Sequence, residues 1–198
     1  MYDSEEEWYT DEEKIATIAE EYYKQLFTSS NSLDMKEMID SVDKVVTENM
    51  AQDLIRLYVA DEVKTTLFQM HPSKAPGPNG MSPIFFQKFW HIVRHDVTTI
   101  VLSVLHSRRY LRKMNYTHIV LILKKKEPEH ITEFHRISLG NVVSRIISKV
   151  LANRLKPILP NVISDSQSAF VPGRIITDNT TVAFEMFHHM RNKTKRKQ

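Results

Sequence analysis

The sequence of 198 residues contains no cysteine. A disulfide framework and a thiolate metal site are therefore both excluded. It also contains no apolar run that approaches the length of about 18 residues needed for a membrane-spanning helix. The chain begins Met-Tyr-Asp-Ser-Glu-Glu-Glu, which is acidic where a secretory signal is basic and then apolar. Together these absences predict an intracellular protein, nuclear or cytoplasmic, that is not inserted in a membrane.

The net charge of +3 hides a strong division along the chain. Residues 1–70 hold 6 Lys/Arg against 17 Asp/Glu, a net charge of −11, whereas residues 71–198 hold 21 against 7, a net charge of +14. A region this basic indicates a polyanionic partner, RNA or DNA, because cations that neutralise phosphates release condensed counterions. The alternative is that the acidic region folds back on the basic region and masks it.

The spacing of apolar residues predicts an α+β protein that is predominantly helical and has one short two-stranded β-hairpin. Helices are predicted for residues 11–28, 34–58, 61–70, 83–107, 141–158 and 178–190. Asp61 and Asp178 are the predicted N-caps of two of them. The β-branched run at residues 117–123 and a second run at residues 134–139 predict the hairpin, whose tip carries Lys124, Lys125 and Lys126.

Three regions follow from this pattern: an acidic helical arm at residues 1–70, a central region at residues 71–190 and a basic tail at residues 191–198. The tail is interpreted as a disordered end that adds unspecific affinity for phosphates. The helix that starts at residue 141 is predicted to be core. Its cations are Arg145, Lys149, Arg154 and Lys156, and most of them are interpreted as a solvated face.

Residues 71–80 hold three of the eight prolines and two of the four glycines, which predicts a structured loop. Gly77 and Gly80 permit backbone angles that bring main-chain N–H groups close to a phosphate, and Lys74 adds a positive charge. The alternative is a rigid turn between two helices that binds nothing.

Five segments occur in a fixed order: KAPGPNG at residues 74–80, THIVLILKK at 117–125, FHRISL at 134–139, the helix at 141–157, and QSAFVPGR at 167–174. Together they resemble the reverse transcriptases of non-LTR (LINE-type) retrotransposons, particularly those of plants. The resemblance covers about residues 10–198. It implies an incomplete reverse transcriptase, with the fingers and part of the palm.

The resemblance also implies contacts with nucleic acid or nucleotide at Lys74, Gly77, Gly80, Lys124, Lys125, Arg136 and Arg174. The hairpin resembles the fingers hairpin that clamps the triphosphate of the incoming nucleotide. His135 stands where the family has an arginine, and Arg136 follows one position later, so its side chain should point to the opposite face of the strand. For Arg174, a surface ion pair is the alternative.

Polymerisation requires two divalent metal ions held by carboxylates. The resemblance places those carboxylates in a KAYD-like strand and a YADD hairpin, and neither motif occurs in this sequence. We therefore expect a truncated, catalytically inactive fragment without a cofactor, although the full-length family uses Mg²⁺. The adjacent His188 and His189 are wrongly spaced for two metal ligands on one helical face.

Two alternatives to a nucleic-acid-binding fragment remain. One is a non-enzymatic protein-interaction module retained from a retroelement, and the other is a functionless remnant of the element. In either case the apolar faces of the predicted helices at residues 83–107 and 141–158 lack their normal cover. A missing palm domain or a protein partner is expected to cover them.

Overall fold

The chain is mainly helical and contains one two-stranded antiparallel sheet in the part that the structure describes, as the sequence predicted. The computed structural model describes residues 1–29, 39–40, 44–109, 112–164, 167–168 and 171–195. Its helices are α1 (Glu12–Phe27), α2 (Glu48–Ile55), α3 (Ala60–Phe68), α4 (Pro83–Lys88), α5 (Trp90–Ser107), α6 (Arg112–Asn115), α7 (Val142–Leu155), α8 (Leu159–Val162) and α9 (Ile176–Lys195). The strands are β1 (Thr117–Leu123) and β2 (Phe134–Gly140), with a 3-10 turn at Ile131–Glu133. Among the described helices, none is long and apolar enough to cross a membrane.

Helix α1 begins and ends where the sequence indicated. The Asp11 carboxylate accepts a hydrogen bond from the Lys14 N–H group at 3.2 Å and caps the first turn. Glu12 and Glu13 lie in that turn, where the helix dipole favours negative charge. At the other end, Thr28 adopts an extended conformation. Signals within a few residues of each end therefore determine this helix.

The hairpin confirms the predicted strands. Strand β1 has the predicted bounds, and β2 extends one residue beyond the predicted end, to Gly140. The pairing runs from Thr117 opposite Gly140 to Leu123 opposite Phe134. Directly opposed residues share one face of the sheet, so this register determines which side chains face the core.

The chain divides into two compact units, each with its own buried residues. The first comprises Met1–Val42, Met70–Val93 and Arg109–Arg145, and the second comprises Asp43–Gln69, Arg94–Arg108 and Ile146–Gln198. In the first unit, Met1, Tyr23 and Ile131 are buried together, and Leu121 and Phe134 of the hairpin pack against them. The second unit buries the apolar side chains of Val63, Leu67, Val97, Val101, Val104, Ile146, Ile147, Val150, Ile158 and Val171.

Both predicted aspartate N-caps are wrong. Helix α3 starts directly after Val59, so Asp61 lies inside its first turn. The Glu62 carboxylate instead accepts a hydrogen bond from the Val59 N–H group at 3.0 Å. Asp178 likewise lies inside the first turn of α9, where its carboxylate accepts a hydrogen bond from the Ile175 N–H group at 3.2 Å. An acidic residue three positions further on can thus reach back to the N–H group at the start of a helix.

Other helix bounds also differ from the prediction. The predicted helix at residues 83–107 is divided at Phe89 into α4 and α5. Helix α7 ends two residues before Pro157 and does not reach Ile158, because the residue that precedes a proline disfavours helical angles. Within the predicted helix at residues 34–58, the structure shows α2. Residues 34–38 and 41–43 of that prediction lie outside the described residues.

Candidate nucleic-acid interface

The proline–glycine loop (residues 71–80) is in close contact with the base of the hairpin in the first unit. Gly77 is buried, and a Cβ atom added to it would lie 2.6 Å from main-chain atoms of both Gly140 and Asn141. Side-chain carbons do not approach a main chain so closely, so this position accepts only glycine. Gly77 therefore contributes to internal packing.

Two hydrogen bonds hold the same loop. The Asn79 N–H group donates to Oδ1 of Asn141 at 3.4 Å. The guanidinium of Arg145 donates to the Ala75 carbonyl at 2.8 Å. Arg145 was interpreted as part of a solvated face, and it is instead an anchor for the loop. The loop, the end of β2 and the first turn of α7 thus form one connected element.

Lys74 and Gly80 lie on the exposed part of this loop. Gly80 has a φ of +71°, and its N–H group donates to the Gly77 carbonyl at 2.9 Å. A Cβ atom added to Gly80 would meet nothing within 4 Å. A phosphate can therefore approach the loop at Gly80, and Lys74 adds a positive charge to the exposed part of the same loop.

Two lysines at the hairpin tip, both predicted to bind phosphate, contact other groups of the protein. The Lys124 ammonium donates to the Thr132 carbonyl at 2.8 Å, and the Lys125 ammonium lies 2.7 Å from the Glu133 carboxylate. The hydrogen bond from Lys125 is the largest cause, and hydrogen bonds from main-chain N–H groups come next, of a pKa of about 2 for Glu133. The same ion pair raises the pKa of Lys125. Because these contacts are exposed, water and salt weaken them, and a phosphate can replace them at low cost.

Arg136 faces α1. Its guanidinium carbon lies 5.5 Å from the centroid of the Phe27 ring, a cation–π distance. The preceding residue, His135, is paired with Ile122 and lies on the opposite face of the sheet. The arginine stands at position 136, one residue after the position where the resemblance places it. Its permanent positive charge therefore lies on the α1 side of the hairpin.

Arg174, in the second unit, binds main-chain carbonyls. One terminal nitrogen donates to the carbonyls of Ser164 at 2.5 Å and Gln167 at 2.8 Å. The other donates to those of Ile163 at 3.3 Å and Pro160 at 3.5 Å. A guanidinium has five N–H donors, and four carbonyls already share those of Arg174. Its contacts make it an anchor of the surrounding loop.

The interpretation of Arg154 as solvated is wrong, because its side chain is only 5% exposed. Its Nε and one terminal nitrogen donate to the two oxygens of Glu62 at 2.9 and 2.8 Å. Its terminal nitrogens also donate to carbonyls at the end of α2 and just after it, those of Leu54, Arg56 and Leu57. The guanidinium carbon lies 3.6 Å from the centroid of the Tyr58 ring. These contacts satisfy a buried charge, which is otherwise costly.

Glu62 makes the stability of the protein depend on pH in the acid range. Hydrogen bonds, first from Arg154 and then from the Val59 N–H group, hold the pKa of Glu62 below its ordinary value of 4.5. A carboxylate with a lowered folded-state pKa stabilises the fold above its unfolded pKa, and this contribution is lost as pH falls through the folded pKa.

We therefore expect the free energy of unfolding of the wild-type chain to decrease as pH falls below 4.5, the ordinary pKa of this carboxyl. The Glu62→Gln variant lacks this titrating group, so its stability should decrease less over the same range. Urea unfolding at a series of acid pH values measures both curves. Parallel curves for the two proteins would contradict the role given to Glu62.

In the described ranges, no three histidine, aspartate or glutamate side chains are placed so that they could hold a metal ion. Mg²⁺ is bound by oxygen ligands, above all carboxylates. The described residues therefore do not fit the Mg²⁺ site that the resemblance implies for a full-length reverse transcriptase, and we assign no catalytic step to them.

Comparison with known proteins supports an origin in a transposable element. No protein-family model matches the chain. Over 182 residues, 91% of the chain, it is 29% identical to a protein of Xenopus laevis named transposon TX1 uncharacterized 149 kDa protein. The chain spans 14% of the length of that relative. The similarity therefore relates nearly all of this chain to one segment of a much longer transposon protein.

Proposed function

We propose that this chain is a reverse transcriptase-like fingers fragment, of LINE-type retroelement origin, that binds RNA or DNA. The observation that carries the proposal is the docking of the proline–glycine loop on the base of the hairpin and the first turn of α7. These three segments resemble reverse transcriptases separately, and they form one element although Asn79 and Asn141 are 62 positions apart.

The exposed groups of this element and of the hairpin tip have the chemistry of a phosphate-binding surface. Lys74, Lys124 and Lys125 supply positive charge, and Gly80 leaves open space beside the loop. We assign the phosphate contacts to these four residues. Gly77, Arg136 and Arg174 make the internal contacts described above, and we assign them no phosphate contact.

We also propose that these 198 residues have no polymerase activity of their own, because they contain no KAYD-like or YADD motif. The purified chain should show no primer extension on an RNA or DNA template with either magnesium or manganese. Template-dependent synthesis by the chain would contradict this part of the proposal.

Filter binding of RNA and DNA oligonucleotides across a salt series tests nucleic-acid binding. The logarithm of the association constant should fall linearly with the logarithm of salt concentration. Replacing Lys74, Lys124 and Lys125 by glutamine should reduce the magnitude of the slope by up to about 2, because each phosphate contact on a single strand adds about 0.7.

A matched control removes the same charge from the acidic region. Lys24, Lys44 and Lys64 are exposed there, and their replacement by glutamine should leave the slope unchanged. An equal effect of the two triple variants would contradict the placement of the surface. No binding by the wild-type chain at low salt would contradict nucleic-acid binding itself.

A second candidate function is protein interaction, and the surface of α9 favours it. Five large apolar side chains on this helix are each more than half exposed: Val182, Phe184, Met186, Phe187 and Met190. Large apolar side chains exposed together often mark a surface that binds another protein. Failure to bind any oligonucleotide at low salt would favour this candidate over the first.

A further inference from the structure

Tyr116 presents an exposed aromatic ring where the chain enters the hairpin. It lies between α6 and β1, and it is 62% exposed. After it, Thr117 pairs with Gly140 in the sheet, and before it two hydrogen bonds hold the main chain. The Met114 carbonyl accepts a hydrogen bond from Oγ of Ser144 at 2.5 Å, and the Asn115 carbonyl accepts one from Oγ1 of Thr117 at 3.1 Å. A ring on a fixed main chain loses little conformational entropy when it binds a ligand.

The ring of His118 is perpendicular to the ring of Tyr116. Their centroids are 5.6 Å apart, and their planes meet at 80°. A perpendicular pair covers at most one face of either ring, so each ring keeps a face that the other does not cover. His118 is exposed and lies on the sheet face opposite to Leu121, which packs against the core. The aromatic pair therefore lies on the outer side of the sheet.

Positive charge precedes the aromatic pair, and the surrounding sequence contains no carboxylates. Arg112 and Lys113 are both exposed, and they belong to α6, directly before Tyr116. Residues 97–126 contain seven Lys/Arg and no Asp or Glu. Such a segment attracts phosphates without repelling them locally.

We propose that Tyr116 and His118 form a base-stacking platform for single-stranded nucleic acid, with Arg112 and Lys113 binding the adjacent phosphates. This inference rests on the proposed nucleic-acid binding. It specifies single strands as the ligand and Tyr116 and His118 as the site that contacts the bases. Aromatic rings beside cations bind single strands with little sequence preference, because every base has a π face. Bases within a duplex are stacked on one another and do not offer that face.

Fluorescence anisotropy with labelled oligo(U) and oligo(dT), each of about 20 nucleotides and longer than one site, tests the platform. Tyr116→Ala should weaken binding of both by about 5- to 100-fold, the range that loss of one stacked base gives. Tyr116→Phe should restore wild-type affinity, because stacking uses the ring and not the hydroxyl. Trp8→Ala is the matched control, since Trp8 is 51% exposed but follows Glu5, Glu6 and Glu7.

The charge contribution is tested separately. Replacing Arg112 and Lys113 by glutamine should reduce the salt slope by about 1.4, or 0.7 for each phosphate. Tyr116→Ala should keep the wild-type melting temperature, because the ring is exposed. Unchanged affinity of Tyr116→Ala for single strands, or an equal loss of affinity for a duplex, would overturn the platform and leave the proposed function standing. No binding by the wild-type chain at low salt would overturn both.

Discussion

Replacing Arg154 by methionine is expected to lower the free energy of unfolding by about 3–5 kcal/mol. The guanidinium of Arg154 is buried and bonds both oxygens of the Glu62 carboxylate. Its removal leaves three main-chain carbonyls without this donor, and the carboxylate keeps the Val59 N–H group and the exposed Arg56. Buried acceptors that lose their donor are costly. Methionine fills most of the length of the arginine side chain, so the decrease in the free energy of unfolding measures the loss of the polar contacts. Urea unfolding followed by circular dichroism measures the difference.

Arg56→Met is the matched control, because Arg56 bonds the same carboxylate from the surface. Its terminal nitrogen lies 3.2 Å from the Glu62 oxygen, and its side chain is 57% exposed. An exposed ion pair contributes about 0–1 kcal/mol, since water and salt screen it. The control should therefore lose less than about 1 kcal/mol. Losses of similar size from the two arginines would contradict the assignment of this stability to the buried pair.

Gly77→Ala is expected to destabilise the protein by about 1–3 kcal/mol through overpacking. The added methyl group would lie 2.6 Å from three main-chain atoms of Gly140 and Asn141. These atoms belong to the end of β2 and the start of α7, so they cannot move without displacing one of these elements. The loop should therefore separate from the base of the hairpin. Urea unfolding and amide hydrogen exchange at Asn79 measure the two consequences.

Gly80→Asn is the control in the same loop. A Cβ atom at this position meets nothing within 4 Å, and asparagine tolerates the positive φ of 71° better than most residues. The variant should lose less than about 1 kcal/mol and should retain the protection of the Asn79 N–H group. Equal losses at the two glycines would show that crowding does not explain the need for glycine at Gly77.

Local patterns were sufficient for several elements. The β-branched run at residues 117–123 and the polar tip after it predicted the hairpin, and the spacing of apolar residues from Ile15 to Leu26 predicted α1. These signals act between residues a few positions apart, so they can be read from the chain. The N-caps of α3 and α9 were misplaced because acidic residues are also favoured inside the first turn of a helix, where Glu62 and Asp178 bond the N–H group of the residue that precedes the helix.

The resemblance to reverse transcriptases named the segments of the candidate interface, but it did not separate exposed residues from internal ones. Lys74 and Gly80 are exposed on the loop, as binding requires. Gly77 of the same motif is buried, and Arg174 bonds loop carbonyls. Both roles depend on main-chain atoms that the folded chain brings beside these residues. Motif order alone does not contain that information.

The sequence by itself determined the hairpin, the first helix and the division of charge, because each is a property of neighbouring residues. Only the tertiary structure decided the roles of the arginines on α7. Arg145 and Arg154 occupy positions that appeared solvated, yet they bond carbonyls 70 and 100 positions away, those of Ala75 and Leu54. A guanidinium extends its donors far from its own main chain, so its partners depend on which distant carbonyls fold beside it.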